Sequence, residues 1–391
     1  MGSRLRFPVV AGLRRCGWGA GIAVAALCII AACSKDEDPP IIPPGNECPD
    51  PTPLTLTLPA NFPELPNPPS NPLTVEGVAL GRRLFYDPIL SADSSLSCGG
   101  CHLQAHSFGD TRPFSEGIHG DKSRRQAPTL VNPAWNSRGV FWDGRAVDLE
   151  TQATQPVPEP TEMSLPWPDA VLRLKAHPEY PDLFCAAFGS KDISMIRVVK
   201  AIAQFERTFV SANSKYDRWK RGEEALNTME LRGFRLFLRE GKGDCFHCHD
   251  ETLLATGSFH NTGLDTIPID GGRGEVTGNP ADLGKFKSSS LRNIMESSPY
   301  MHDARFTSIR EVLDHYNRGF RHGKPDSLPA DPQVDALINK RLLFPPMTSA
   351  ELDTLEAFLE TLTDWDFLTN PDLSNPFESG SAVAKRKPSA R

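Results

Sequence analysis

Three things are missing or scarce in this chain: a sustained basic run and an apolar stretch of bilayer length are absent, and strand-like alternation of apolar and polar residues is rare. Without a basic run, and with a formal net charge of −7, nucleic acid is not expected as a partner. The apolar run from Gly17 to Ala32 spans 16 residues, short of the ~20 needed to cross a membrane. Membrane contact is therefore expected only through a lipid anchor. The scarcity of alternation leaves a mainly α chain. Tyr and Trp are also few, 5 and 6 against 21 Phe, so aromatic packing falls to phenylalanine, which suits apolar crevices.

Pro (36) and Gly (30) are plentiful, which implies helices joined by long irregular loops. Thirteen of the prolines lie between Pro39 and Pro72 with no helical period, the pattern of a semi-extended tether and wrapping arm. Upstream, Arg4, Arg6, Arg14 and Arg15 precede the apolar run, which ends Ile30-Ala31-Ala32-Cys33. Residues 1–32 read as an export signal and Cys33 as the lipidated first residue; an unlipidated periplasmic protein cut near the same place is the alternative. Ser34 favours passage to the outer membrane, and the acidic Lys35-Asp36-Glu37-Asp38 is of the type that takes lipoproteins to the cell surface. The expected location is the periplasmic side of a bacterial envelope.

Of the nine cysteines, Cys16, Cys28 and Cys33 belong to the export region. Four form Cys98-Gly99-Gly100-Cys101-His102 and Cys245-Phe246-His247-Cys248-His249. Cys-x-x-Cys-His is the attachment signature of c-type haem. Two thiols three residues apart each add to one vinyl of the same porphyrin edge, and the adjoining histidine reaches the iron as proximal ligand. Two half zinc sites are the alternative, but the repetition with both histidines, in an exported chain, favours two haems. Cys48 and Cys185 remain, and the sequence leaves open whether they pair.

Helical spacing marks Val75 to Phe85 through Val78, Leu84 and Phe85, with Asp87-Pro88 as its stop. It recurs over Met195–Val210, Ser308–Asn317 and Ser349–Thr363, the last with Ser349 suited to its first turn. A Gly-x-Arg-Leu-Phe motif stands before each haem motif, at Gly81–Phe85 and Gly233–Phe237, and predicts an internal duplication. The expected architecture is mainly α, two cytochrome c-like haem domains joined by long irregular loops. Its segments are 1–32 (signal), 33–74 (tether and arm), 75–212 (N-terminal haem domain) and 213–391 (C-terminal haem domain).

From about Asn71 to Trp365 the sequence resembles the bacterial dihaem cytochrome c peroxidase family, which includes MauG-type enzymes. The resemblance is carried by Leu80-Gly81-Arg82-Arg83-Leu84-Phe85-Tyr86-Asp87-Pro88, both haem motifs, Ala127–Asn132, Phe141-Trp142-Asp143-Gly144-Arg145-Ala146, Glu159–Met163, Ser290–Ile294 and Pro299-Tyr300-Met301-His302-Asp303. It implies that the first haem reacts with peroxide and the second handles electrons. It places Trp142 between the haems and Gln152 with Glu162 in the peroxide pocket, where a carboxylate moves a proton between the two peroxide oxygens and an amide positions the substrate. His119 lies near a histidine that caps the first iron in some relatives; an exposed loop histidine, leaving that iron open, is the favoured reading here.

Tyr316 shares one helical face with Ile309, Val312 and Leu313. It matches the position where cytochrome-driven peroxidases carry methionine and MauG-type members carry tyrosine as outer ligand of the second haem; Met301 and Met347 are the rival ligands. Gln126, Ser297 and Pro299 match a family calcium site, with Gln126 and Ser297 departing from the usual asparagine and threonine.

Three functions follow as expectations. The first is reduction of hydrogen peroxide with electrons from a small c-type cytochrome or cupredoxin. The second is a MauG-like reaction, in which a high-valent dihaem state oxidises Trp or Tyr of a partner protein. The third is a non-catalytic dihaem electron carrier, which the pocket carboxylate disfavours.

Overall fold

The computed structural model describes residues 48–265, 267–317 and 345–378; the export signal, Cys33 and the acidic segment after it lie outside them. The described residues form the α-helices α1 Val75–Tyr86, α2 Cys98–Cys101, α3 Leu149–Ala153, α4 Trp167–Ala176, α5 Tyr180–Phe188, α6 Met195–Glu206, α7 Lys215–Lys220, α8 Thr228–Phe237, α9 Arg273–Thr277, α10 Ile309–Asn317, α11 Ser349–Glu360 and α12 Trp365–Leu368. Among the described residues the sheet content is one antiparallel pair, β1 Phe259–His260 with β2 Phe286–Lys287, in the register Phe259↔Lys287 and His260↔Phe286. No described helix is long and apolar enough to cross a membrane.

Two hydrophobic clusters organise these helices. The first is built on α1 and α6 and the second on α8 and α11. In both pairs a glycine sets the approach. A Cβ on Gly81 would sit 1.9 Å from the Ala201 carbonyl oxygen, and one on Gly233 would sit 1.9 Å from that of Thr354, so only glycine lets either backbone come so close. Four residues on, Phe85 meets Phe205 at 5.5 Å between ring centroids and Phe237 meets Phe358 at 5.3 Å. The duplicated Gly-x-Arg-Leu-Phe motif is thus a duplicated helix crossing.

The repetition extends well past that motif. Asn132 and Asn293 both adopt left-handed backbone, φ 51° and 58°, which asparagine tolerates better than most residues. The Asn132 N–H donates to Phe209 O and that of Asn293 to Leu362 O, both at 3.0 Å. Their side chains then bind the chain just beyond, at Ser211 N (2.8 Å) and Asp364 N (2.6 Å). Further on, Val140 bridges to Ala146 around Trp142, and Tyr300 bridges to Phe306 around His302. Each bridge leads into a helix, α3 or α10.

The helix over 195–210 ends earlier than its periodicity suggests, at Glu206. Phe209 leaves the helix to offer its carbonyl to Asn132 and to stack on Phe108 at 4.0 Å. Ser349 stands in the first turn of α11 as its sequence suggests, and the residue before it is the cap: Thr348 and Glu351 form a reciprocal capping box. The last described segment crosses back, with Phe367, Leu368 and Leu373 packing into the first cluster and Leu373 O accepting from the Tyr86 hydroxyl at 2.7 Å.

The arm is held along its length. Leu54 N donates to Leu73 O (3.0 Å), Phe62 packs edge-on against Trp135, and Trp135 Nε1 donates to Glu64 O (3.1 Å). Cys48 and Cys185, left open by the sequence, form a disulfide that spans 137 residues and ties the arm to α5. Loop-closure entropy puts the contribution of so long a crosslink at up to about 5 kcal/mol. Cys185→Ser is expected to lower Tm by several degrees and leave the helical content unchanged, as thermal denaturation and circular dichroism would read.

Candidate functional site

Both haem motifs deliver a histidine fixed in the same way. His102 Nδ1 lies 2.7 Å from Phe108 O, and His249 Nδ1 lies 3.1 Å from Leu254 O. A carbonyl only accepts, so Nδ1 carries the proton and Nε2 keeps its lone pair for a metal. Phe108 and Leu254 both hold left-handed backbone, φ 57° and 55°, a strained state for such residues that turns each carbonyl toward its histidine. Burial holds both imidazoles below their ordinary pKa, His249 down to about 4. They stay neutral, as ligands must. Paired thiols beside an imidazole of fixed tautomer, at the wall of a cavity, form a donor set that fits covalent haem on each side.

The first cavity has a volume of about 800 Å³ and is lined by Cys98, Cys101, His102, Gln152, Glu162 and Trp142, among others. Gln152 comes from α3, whose N-terminus is capped by Asp148 accepting from Thr151 N at 2.7 Å. Glu162 is held by its own backbone: its carbonyl accepts from Ile118 N at 3.0 Å. Gly117 makes that approach feasible, since a Cβ there would meet Thr161 O at 2.2 Å. Burial pushes the Glu162 carboxyl up, Glu159 adds to the effect and Arg145 opposes it. His119 is exposed and does not line the cavity.

The second cavity, about 250 Å³, is lined by Cys245, Cys248, His249 and Tyr316. Burial raises the Tyr316 phenol above its ordinary value. Met301 and Met347 line the same cavity, as do Gln126, Ser297 and Pro299. The Gln126 amide donates to Asp110 O at 3.1 Å and the Ser297 hydroxyl to Ile294 O at 3.1 Å.

Trp142 lines both cavities. Its indole Nε1 donates to Gln126 O and its carbonyl accepts from Lys287 N, each at 2.8 Å. Sequence reasoning passed over two buried ionisable residues. Glu206 lines the first cavity, and burial pushes its carboxyl up to about 8. The helical period could have found it, one turn after Ile202 on the inward face. Lys287 lines both cavities, and nothing in its neighbourhood of sequence marks it.

Comparison with known proteins agrees with this geometry. The family model for di-haem cytochrome c peroxidase matches residues 75–225. The methylamine utilization protein MauG of Methylorubrum extorquens is 39% identical over 302 residues, covering 76% of this chain and 81% of that protein. Cytochrome-c peroxidase IdrP1 of Pseudomonas sp. strain SCT is 33% identical over 360 residues, covering 82% and 89%. A crystal structure of a MauG-like protein associated with microbial copper homeostasis superposes with a TM-score of 0.76 at 35% identity, covering 83% of this chain and 99% of that one. These relatives support an oxidoreductase acting on peroxide over a non-catalytic carrier, and the family implies haem c as cofactor. With that similarity running through both halves, the chain belongs to the dihaem cytochrome c peroxidase and MauG family of oxidoreductases.

Proposed function

We propose that the protein reduces hydrogen peroxide in the cavity of His102, with electrons entering through a second haem beside His249. Cys98, Cys101 and His102 would hold the first haem in a domain over 75–212, and Cys245, Cys248 and His249 the second in a domain over 213–391. One observation carries this function: His102, Gln152 and Glu162 line a single cavity, and Trp142 lines that cavity and its neighbour.

Bound haem c supplies iron that accepts peroxide and holds oxidising equivalents. The rest falls to side chains. The Gln152 amide orients the peroxide by hydrogen bonding. The Glu162 carboxylate takes a proton from one peroxide oxygen and returns it to the other, so that water is the leaving group. Two electrons and two further protons complete the reduction to two waters. The Trp142 indole, pinned by Gln126 O, offers a fixed aromatic bridge between the cavities.

A second reading is favoured by Tyr316, which faces the second cavity beside His249. An anionic phenolate ligand favours higher oxidation states of iron, as suits a MauG-like enzyme that oxidises Trp or Tyr of a partner protein. Peroxide titration followed by optical and EPR spectroscopy separates the two. Rapid decay on adding a small c-type cytochrome or cupredoxin supports peroxide reduction. A long-lived oxidised state indifferent to such donors supports the second reading.

Calcium at Gln126, Ser297 and Pro299 would be held by neutral oxygens alone, a weaker set than one with carboxylates. The Cys48–Cys185 disulfide supports an oxidising compartment, in keeping with an outer-membrane lipoprotein on the periplasmic side, anchored at Cys33.

A further inference from the structure

We propose that Lys287 receives a haem propionate at the seam between the two cavities, and that its charge sets the reduction potential there. This rests on the dihaem assignment above.

Lys287 is 9% exposed, and a buried ammonium is costly unless an anion or several hydrogen bonds answer it. Three other cations line the first cavity, and each already has carboxylate partners. Arg124 pairs with Asp270 and Glu275, Arg125 with Asp143 and Asp270, and Arg145 with Asp143. Lys287 differs. Its Nζ donates to Gly139 O at 3.0 Å, and among the described residues no carboxylate lies within ion-pair distance of it. Asp143 acts on it only from further away. An ammonium has three N–H donors, so two remain for a ligand.

The residue is held in place for that task. Its backbone N–H donates to Trp142 O at 2.8 Å, and β1 pairs it with Phe259. Its Nζ contact, Gly139, has φ 98° and leaves no room for a Cβ, which would lie 2.7 Å from Gly144 O. The ammonium is therefore fixed at both ends to the loop that carries Trp142, and it lines both cavities. A haem attached through its vinyl groups keeps two propionate carboxylates free on the porphyrin. These are the anions that the occupant itself would bring. Burial draws the ammonium down to about 8 even with the distant Asp143 opposing it, a penalty that an adjacent carboxylate offsets.

A fixed positive charge close to a haem stabilises its reduced form, which carries one positive charge fewer. Lys287→Met keeps the unbranched apolar stem as far as the ε position and removes the charged nitrogen. Haem content by mass spectrometry and midpoint potentials by spectroelectrochemistry are the readouts. With two haems retained, at least one potential is expected to move negative, and Lys287→Arg is expected to stay near wild type. If Lys287→Met loses haem, Lys287→Gln tests the same point, because its amide keeps hydrogen-bond donors in the site without charge. Unchanged potentials in a two-haem uncharged variant overturn this role for Lys287 and leave the proposed function standing. Fewer than two haems in the wild type would instead overturn the dihaem assignment.

Discussion

Glu162→Gln is expected to lower hydrogen peroxide turnover by roughly 10²–10⁴-fold, the range that a positioned acid–base group contributes, with both haems still attached. Glutamine matches glutamate in volume but cannot accept and return the proton. The pH profile gives an independent check. Burial raises the Glu162 carboxyl and Glu159 adds to it, so the protonated form persists to higher pH than in an ordinary glutamate. Catalysis needs the carboxylate, so activity is lost as pH falls through this raised pKa. The acid limb of kcat/KM should therefore lie above the usual glutamate range in the wild type and vanish in Glu162→Gln. Glu206, buried on the wall of the same cavity, is the control. Glu206→Gln should keep the limb; if the limb goes there and turnover survives in Glu162→Gln, the base is Glu206.

The sequence exposes most clearly what covalent chemistry forces to be local. Haem attachment needs two thiols and an imidazole within five residues, so both motifs are legible without a fold. Helical period is nearly as good a guide: it turned Tyr316 inward with Ile309 and Leu313, and the structure puts Tyr316 on the wall of the second cavity. Gln152 and Glu162 are different. Each is an ordinary polar loop or helix residue by composition, and only their linear order, matched to a family, brought them to one pocket. The domain limits drawn at 212 and 213 did not anticipate that Phe367, Leu368 and Leu373 return to the first cluster. Such a return depends on tertiary packing that no local pattern records.

What stayed hidden was long-range or conformational. Cys48 and Cys185 are 137 residues apart, and two cysteines carry no sign of whether they will meet. The left-handed backbone at Phe108 and Leu254 runs against the preference of those residues, and it is tolerated because each carbonyl then fixes the histidine of its motif. Asn132 and Asn293 anchor the ends of equivalent helices, yet in sequence they read as loop asparagines. Lys287 looks like a surface lysine until Arg124, Arg125 and Arg145 are seen to be occupied by carboxylates and it is not.

Tyr316→Phe is expected to alter the spectrum of the C-terminal haem and leave that of the N-terminal haem intact, because Tyr316 lines the cavity of His249 and not that of His102. Met301 and Met347 share that cavity, so Met301→Leu and Met347→Leu are the necessary comparisons. If either reproduces the spectral change and Tyr316→Phe does not, the tyrosine is a packing residue and the methionine is the ligand. The direction of the potential follows from ligand chemistry. A hard, anionic phenolate stabilises oxidised iron, whereas a thioether stabilises reduced iron. Tyr316→Met should therefore raise the potential of the C-terminal haem by a sizeable part of the ~0.8 V that axial ligands span. A low-potential haem accepts electrons poorly from a small cytochrome, and a high-potential one accepts them well. The same substitution should thus speed cytochrome-driven peroxide reduction and shorten the life of any stored oxidised state. Faster decay in Tyr316→Met would identify residue 316 as the position that selects between peroxidase and MauG-like chemistry. Equal decay in both proteins would place that choice elsewhere.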